Sequence, residues 1–223
     1  MPTRKVIFAP DEYYHVFNCG TLKSEIFLDD RDWIRFLFLV LYLQAGVTPQ
    51  NISRQVSYFV KHLVFNIDDE DIEANLEERQ VELVSFSLMP NHFHLVVKEA
   101  MDNGISKYLH RVSNAYAKYF NTKYKKSGHL FQGPFRAVHI AGNDQLLYAS
   151  AYVHRNPREI KEWRNCDHCY PWSSFQDYTQ KNRWNNLLVR DLVLGQFDNG
   201  DDYKKWVIGS VAKDEYDTGE LES

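Results

Sequence analysis

The stretch from Val81 to Lys98 constrains this chain most. VELVSFSL and HFHLVVK are two runs rich in β-branched and aromatic residues, separated by Met89-Pro90-Asn91. Such runs favour pleated strands, and Pro with Asn supplies a turn. The two are expected to fold back as an antiparallel pair. Alternate residues of a strand share a side. His92 and His94 then stand together, and Phe93 faces the other way.

About sixty residues later comes Tyr152-Val153-His154-Arg155-Asn156. Helical spacing puts Tyr152 and Asn156 one turn apart on one face. Two imidazoles and an amide oxygen can hold a divalent cation with positions open to phosphate oxygens. A phenol beside that cation is a nucleophile toward phosphorus. Tyr148, one turn before Tyr152, is a rival phenol.

The rest of the chain supplies alternating strands and helices. Tyr13–Cys19 reads as a strand. Asp29-Asp30 precede an apolar-periodic helix from Trp33 to Gln44, with acidic residues at its positive end. A second helix is expected from Ile52 to Val64, then an acidic surface helix or loop. Ile105–Phe120 reads as a helix, Lys123–Gly133 as a basic loop and Phe135–Ile140 as a short strand. Asn143 or Asp144 is expected to cap a helix from Gln145 to Arg155, which Asn156-Pro157 ends because the residue before proline avoids helical geometry. A further helix is expected near Tyr203–Val207, followed by an acidic, unstructured tail. One α+β domain over residues 1–178, with a C-terminal extension over 179–223, is the simplest organisation.

Charge is unevenly spread. The chain carries −4 overall, yet residues 103–165 hold eleven Lys and Arg against three Asp and Glu. A basic face of that kind suits a phosphate backbone. The acidic residues gather at 68–73 and 214–222. Fifteen per cent aromatic content exceeds the usual need of a core this size, so some rings are available to stack on bases. Three cysteines, Cys19, Cys166 and Cys169, argue against a disulfide framework and fit a reducing cytoplasm. Cys166-x-His168-Cys169 lacks the second ligand pair that a structural zinc site uses. The most apolar run, Phe36–Leu43, is too short to span a bilayer, so no membrane association is expected.

Several segments together resemble a known family. Tyr14-His15-Val16 lies on the first strand. Leu88-Met89-Pro90-Asn91-His92-Phe93-His94-Leu95-Val96 is similar to an MPNHxHL stretch. Tyr119-Phe120-Asn121 through Ser127-Gly128-His129-Leu130-Phe131-Gln132-Gly133 is similar to a YFN…GHLFQG segment. Tyr152 to Pro157 and Pro171-Trp172-Ser173-Ser174 complete the series. In this order, over residues 13–178, they resemble the REP-associated tyrosine transposases of the single-tyrosine HUH transposase superfamily.

The resemblance implies a ferredoxin-like antiparallel sheet flanked by helices, of the HUH endonuclease type. It implies cleavage and rejoining of single-stranded DNA near hairpin repeats through a 5′-phosphotyrosine. By position, Tyr152 is the nucleophile and His92, His94 and Asn156 bind Mg²⁺ or Mn²⁺. Oxygen ligands favour Mg²⁺ and imidazoles favour Mn²⁺. Lys123, Lys125, Lys126, His129, Phe131, Arg136, Arg155 and Arg158 are the expected DNA contacts. His154 and His129 are the candidate general bases. The expected partner is single-stranded DNA with hairpin or palindromic repeats, bound by a monomer or homodimer. Two rivals remain: a domesticated hairpin-binding protein without cleavage activity, and a metal phosphodiesterase that uses water.

Overall fold

Alternation along each strand sorts its side chains onto two faces of one sheet. The computed structural model describes residues 6–46, 51–65 and 69–210. The acidic tail lies outside the described residues. In chain order the elements are β1 (Tyr13–Cys19), α1 (Asp30–Tyr42), α2 (Ile52–His62), α3 (Asp69–Glu77), β2 (Val81–Met89), β3 (His92–Glu99), α4 (Gly104–Tyr124), β4 (Arg136–Ile140), α5 (Asn143–Arg155), α6 (Phe175–Thr179), α7 (Asp191–Leu194) and α8 (Gly200–Gly209). The sheet order is β2-β3-β1-β4, and all neighbours are antiparallel. This is the ferredoxin-like α+β arrangement.

Register decides which residues share a face. Tyr14, Val16 and Asn18 of β1 lie opposite Val97, Leu95 and Phe93 of β3. This apolar face packs on α1 and α4. Phe36 of α1 lies 5.1 Å from the Phe93 ring and 4.9 Å from Tyr116 of α4, centroid to centroid. The opposite face carries His15, Phe17 and Cys19 opposite Val96, His94 and His92. Helix α5 covers that face.

Local chemistry sets the helix ends. The Asp29 side chain accepts the Asp32 amide at the start of α1, as the acidic pair leads one to expect. Glu99 does the same for α4, accepting the Gly104 and Ile105 amides at 3.0 and 2.7 Å. Helix α5 differs from expectation. It begins at Asn143, with Gly142 at the capping position and no side-chain cap. The Asn143 side chain reaches Gln196 at 2.6 Å, so a tertiary contact takes the group that would have capped the helix.

The segment after α5 closes over β2. Trp172 and Ser174 exchange backbone hydrogen bonds with Leu88 and Phe86 at 2.9 Å each, extending the edge of the sheet. Beyond residue 178 the chain keeps contributing to the same core through Trp184, Leu187, Val193, Tyr203 and Val207. Cys166 and Cys169 are joined by a disulfide, a local link and not the framework excluded from the cysteine count. Among the described residues no helix is long and apolar enough to cross a membrane.

Candidate active site

The two strand histidines and the helix tyrosine meet on the α5 face of the sheet. The His92 and His94 rings are 5.0 Å apart and nearly perpendicular. The Tyr152 ring sits edge-on to His94 at 5.5 Å. All three belong to one chain. Tyr152 is 6% exposed and His94 7%, so the phenol and this imidazole share a largely dry environment.

A third histidine completes the cluster. His15 is fully buried on β1, and its Nε2 lies 2.9 Å from His94 Nδ1. Its ring is also edge-on to Tyr152 at 5.5 Å. Burial drives the His15 imidazole down to about 3, so it is neutral near neutral pH. His94 meets His15 through Nδ1, and a cation on this ring would be held through Nε2. Ligating histidines commonly have their other nitrogen tied in this way. Sequence spacing did not single out His15 for this role. The available signal was its alternation with Phe17, which puts it on the face of His94 once β1 and β3 are in register.

Asn156 follows Tyr152 by one turn and is buried. Its Nδ2 donates to the Tyr152 carbonyl at 3.0 Å, which leaves its amide oxygen as the atom it could offer a cation. Helix α5 stops at Arg155 as expected, but not for the expected reason: Asn156 before Pro157 keeps helical dihedrals, φ −51° and ψ −40°, and the chain passes into a 3₁₀ turn, Asn156–Glu159. His92 Nδ1 lies 2.6 Å from Asn91 Oδ1, and that contact fixes its ring at the tight turn. An imidazole pair with an amide oxygen, one imidazole buttressed by a neutral histidine, is a donor set that fits a divalent cation.

The other expected residues divide into two groups. Lys125, Lys126, His129, Arg136 and Arg158 are exposed. Lys126 lies over the Phe120 ring at 5.1 Å. The remaining three face inward. Lys123 bridges Asp29 and Asp32 at 2.7 and 2.6 Å. Phe131 is packed in the core beside Phe93 and Phe36. Arg155 is buried and donates to the Ser210 carbonyl. The two rivals on α5 make contacts of their own, although Tyr148 stays 39% exposed. Tyr148 packs against Trp206 at 5.8 Å. His154 is fully buried, its nitrogens 2.7 Å from the Tyr203 hydroxyl and 2.8 Å from Ser174 Oγ. Burial holds His154 at about 3, so it is neutral near neutral pH, and both its ring nitrogens are engaged by Tyr203 and Ser174.

An antiparallel four-stranded sheet with helices on both faces defines the class by fold: α+β, ferredoxin-like. Residues 55–156 match the family model described as "Transposase IS200 like", a stretch containing His92, His94, Tyr152 and Asn156. The fold is similar to a solved structure of the REP-associated tyrosine transposase bound to a REP hairpin, with a TM-score of 0.52 and 13% identity over 86% of this chain and 93% of that one. Comparison of the sequence with curated proteins gives no match. The resemblance carried by the sequence motifs therefore extends to the family segment and the fold.

Proposed function

We propose that this chain cleaves and rejoins single-stranded DNA beside hairpin-forming sequences, with Tyr152 as the nucleophile. The observation that carries the reading is Tyr152 lying edge-on to His94 within one chain. A divalent cation held by His92, His94 and Asn156 would neutralise charge at the scissile phosphate. Tyr152 attacks phosphorus, the bond to the 3′ oxygen breaks, and the 3′-OH leaves with a proton. The 5′-phosphate remains on the Tyr152 oxygen. A 3′-OH attacking that linkage reverses the step and joins strands, so no nucleotide triphosphate is needed. His15 holds the His94 ring in place. The exposed Lys125, Lys126, His129, Arg136 and Arg158 supply the DNA face, and the hairpin on the similar solved structure supports a hairpin substrate.

The test incubates the chain with hairpin-bearing single strands and Mn²⁺ and looks for a covalent protein–DNA adduct. The adduct is expected in the wild type and absent in Tyr152→Phe, with hairpin binding within a few fold of normal. An adduct that persists in Tyr152→Phe moves the nucleophile elsewhere. Cleavage without any adduct indicates water as the nucleophile. Hairpin binding with neither product gives the binding-only reading.

A further inference from the structure

Among the described residues, one set of three or more His, Cys, Asp and Glu donors lies within 4.8 Å of one another: Cys166, His168 and Cys169. It shares no residue with the histidine–tyrosine site. We propose that, once its sulfurs are reduced, this set binds a thiophilic divalent cation, zinc above all, with the fourth position left to solvent.

The geometry around one nitrogen carries the proposal. Cys166 Sγ and Cys169 Sγ each lie 3.6 Å from His168 Nε2. A tetrahedral zinc with sulfur at about 2.3 Å and nitrogen at about 2.05 Å has a sulfur–nitrogen edge of about 3.6 Å. Both sulfur–nitrogen distances therefore have the length such a site needs, while Cys166 Sγ also lies 3.8 Å from Nδ1, so the ring turns toward the ion as the sulfurs separate. The remaining edge, between the sulfurs, is closed by the disulfide and opens on reduction. The three donors are only half-buried, so an ion has access. The short 3₁₀ turn Asp167–Cys169 is what gathers three ligands from four consecutive residues.

A second feature points the same way. Asp167 is buried, accepts the His168 amide at 2.9 Å, and sets a carboxylate oxygen 3.9 Å from His168 Nδ1. At 3.9 Å the carboxylate is a charged neighbour of Nδ1 and not a hydrogen-bond partner; a small ring rotation would give the carboxylate contact that commonly orients a metal-bound imidazole. Two thiolates and an imidazole select a soft or borderline ion. This is the opposite preference to an imidazole–amide set expected to take Mg²⁺ or Mn²⁺. Three protein ligands make the site open and exchangeable, unlike a closed four-ligand structural site.

The chemistry balances without an unnamed partner. A phosphine reductant takes oxygen from water to become its oxide and leaves two thiols in place of the disulfide. Each thiol loses its proton as its sulfur bonds the metal, so two protons are released per ion.

The full chain is reduced with a phosphine under nitrogen and titrated with Co²⁺, following the thiolate-to-cobalt charge-transfer band, and then with Zn²⁺ to displace it. One cobalt per chain is expected, with no band in the unreduced chain. Cys166→Ser and Cys169→Ser should lose the band, and Cys19→Ser should keep it. His168→Ala should raise the dissociation constant at least about tenfold, and Asp167→Asn by roughly 10- to 100-fold. Circular dichroism confirms that each variant is folded. Alkylation of the reduced wild type, which should also abolish the band, replaces any cysteine variant that is not. A reduced wild type without the band overturns the proposal. So does an affinity unchanged by His168→Ala, or a band lost with Cys19.

Discussion

At the scale of single residues, His15 is the buried side chain of the site with the clearest consequence. It holds His94 Nδ1 at 2.9 Å, so under the proposed mechanism it would act through His94. His15→Phe keeps an aromatic ring, slightly larger, and removes the hydrogen bond. It is expected to raise the Mn²⁺ concentration needed for half-maximal cleavage by roughly 10- to 100-fold, while the rate at saturating Mn²⁺ changes less. His15→Gln, which can still reach His94, should recover part of the loss. An unchanged Mn²⁺ requirement in His15→Phe would remove the positioning role. His15 and His154 also make stability depend on pH. Burial lowers both to about 3, whereas an unfolded histidine titrates near pH 6.5. Between those values the unfolded chain binds more protons, so stability falls as pH falls. Each histidine contributes up to about 1.4 kcal/mol per pH unit in that window. Urea unfolding at pH 7 and pH 5 should show a smaller loss in His154→Gln than in the wild type; equal losses would mean that His154 is not held neutral. Neither role is legible in the sequence. His15 and His94 are 79 positions apart, and only strand register brings them together.

At the scale of elements, local patterns located most strands and helices, while tertiary demands set their ends and their exposed faces. The hairpin from Val81 to Glu99 was legible because its residue types and its turn agree. Helix α4 runs on to Tyr124, past the expected end at Phe120, because its last turn is fastened to α1. Lys123 is the fastener. Asp32 is fully buried, and it also accepts from the Tyr119 and Tyr124 hydroxyls at 2.9 and 2.7 Å and from the Leu28 amide. Burial opposes charge on Asp32, but Lys123, Tyr124, Leu28 and Tyr119 outweigh it and hold the carboxyl below its ordinary range. A lysine in a basic stretch resembles a phosphate contact in sequence, since nothing local says that two aspartates ninety residues earlier will meet it. Lys123→Ala is therefore expected to cost about 1–3 kcal/mol of stability, because it strips a partner from a buried carboxylate. Arg136→Ala, at an exposed position on β4, should change stability by less than about 0.5 kcal/mol. It should instead reduce the salt dependence of DNA binding by about one counterion. Thermal melts paired with binding at two salt concentrations separate the two; a Lys123→Ala chain of normal stability would undo the assignment.

At the scale of the whole molecule, the segment after residue 178 matters because it supports the helix that carries Tyr152. Tyr203 of α8 meets His154, and the Ser210 carbonyl accepts from Arg155, so two residues just after Tyr152 are held from the C-terminal side. Asp177 binds Arg183 and the Trp184 indole at 2.8 and 3.1 Å, which locks α6 to the segment that follows. Trp184, Leu187, Leu188, Val193, Tyr203 and Val207 are all buried. At roughly 1.5–3 kcal/mol for each large apolar side chain, their loss would match or exceed the ~5–15 kcal/mol by which a domain is stable. A chain ending at Thr179 is expected to show no cooperative melt and no adduct. A chain ending at Ser210 retains every one of these contacts. It lacks residues 211–223, which carry one lysine and five acidic residues, a net −4 equal to the charge of the whole chain. That shorter chain should melt normally and bind hairpin DNA more tightly at low salt, with the gain fading as salt screens the removed charge. A cooperative melt in the chain ending at Thr179 would show that α5 stands without this support, and an affinity unaffected by removal of residues 211–223 would show that their charge does not reach the DNA.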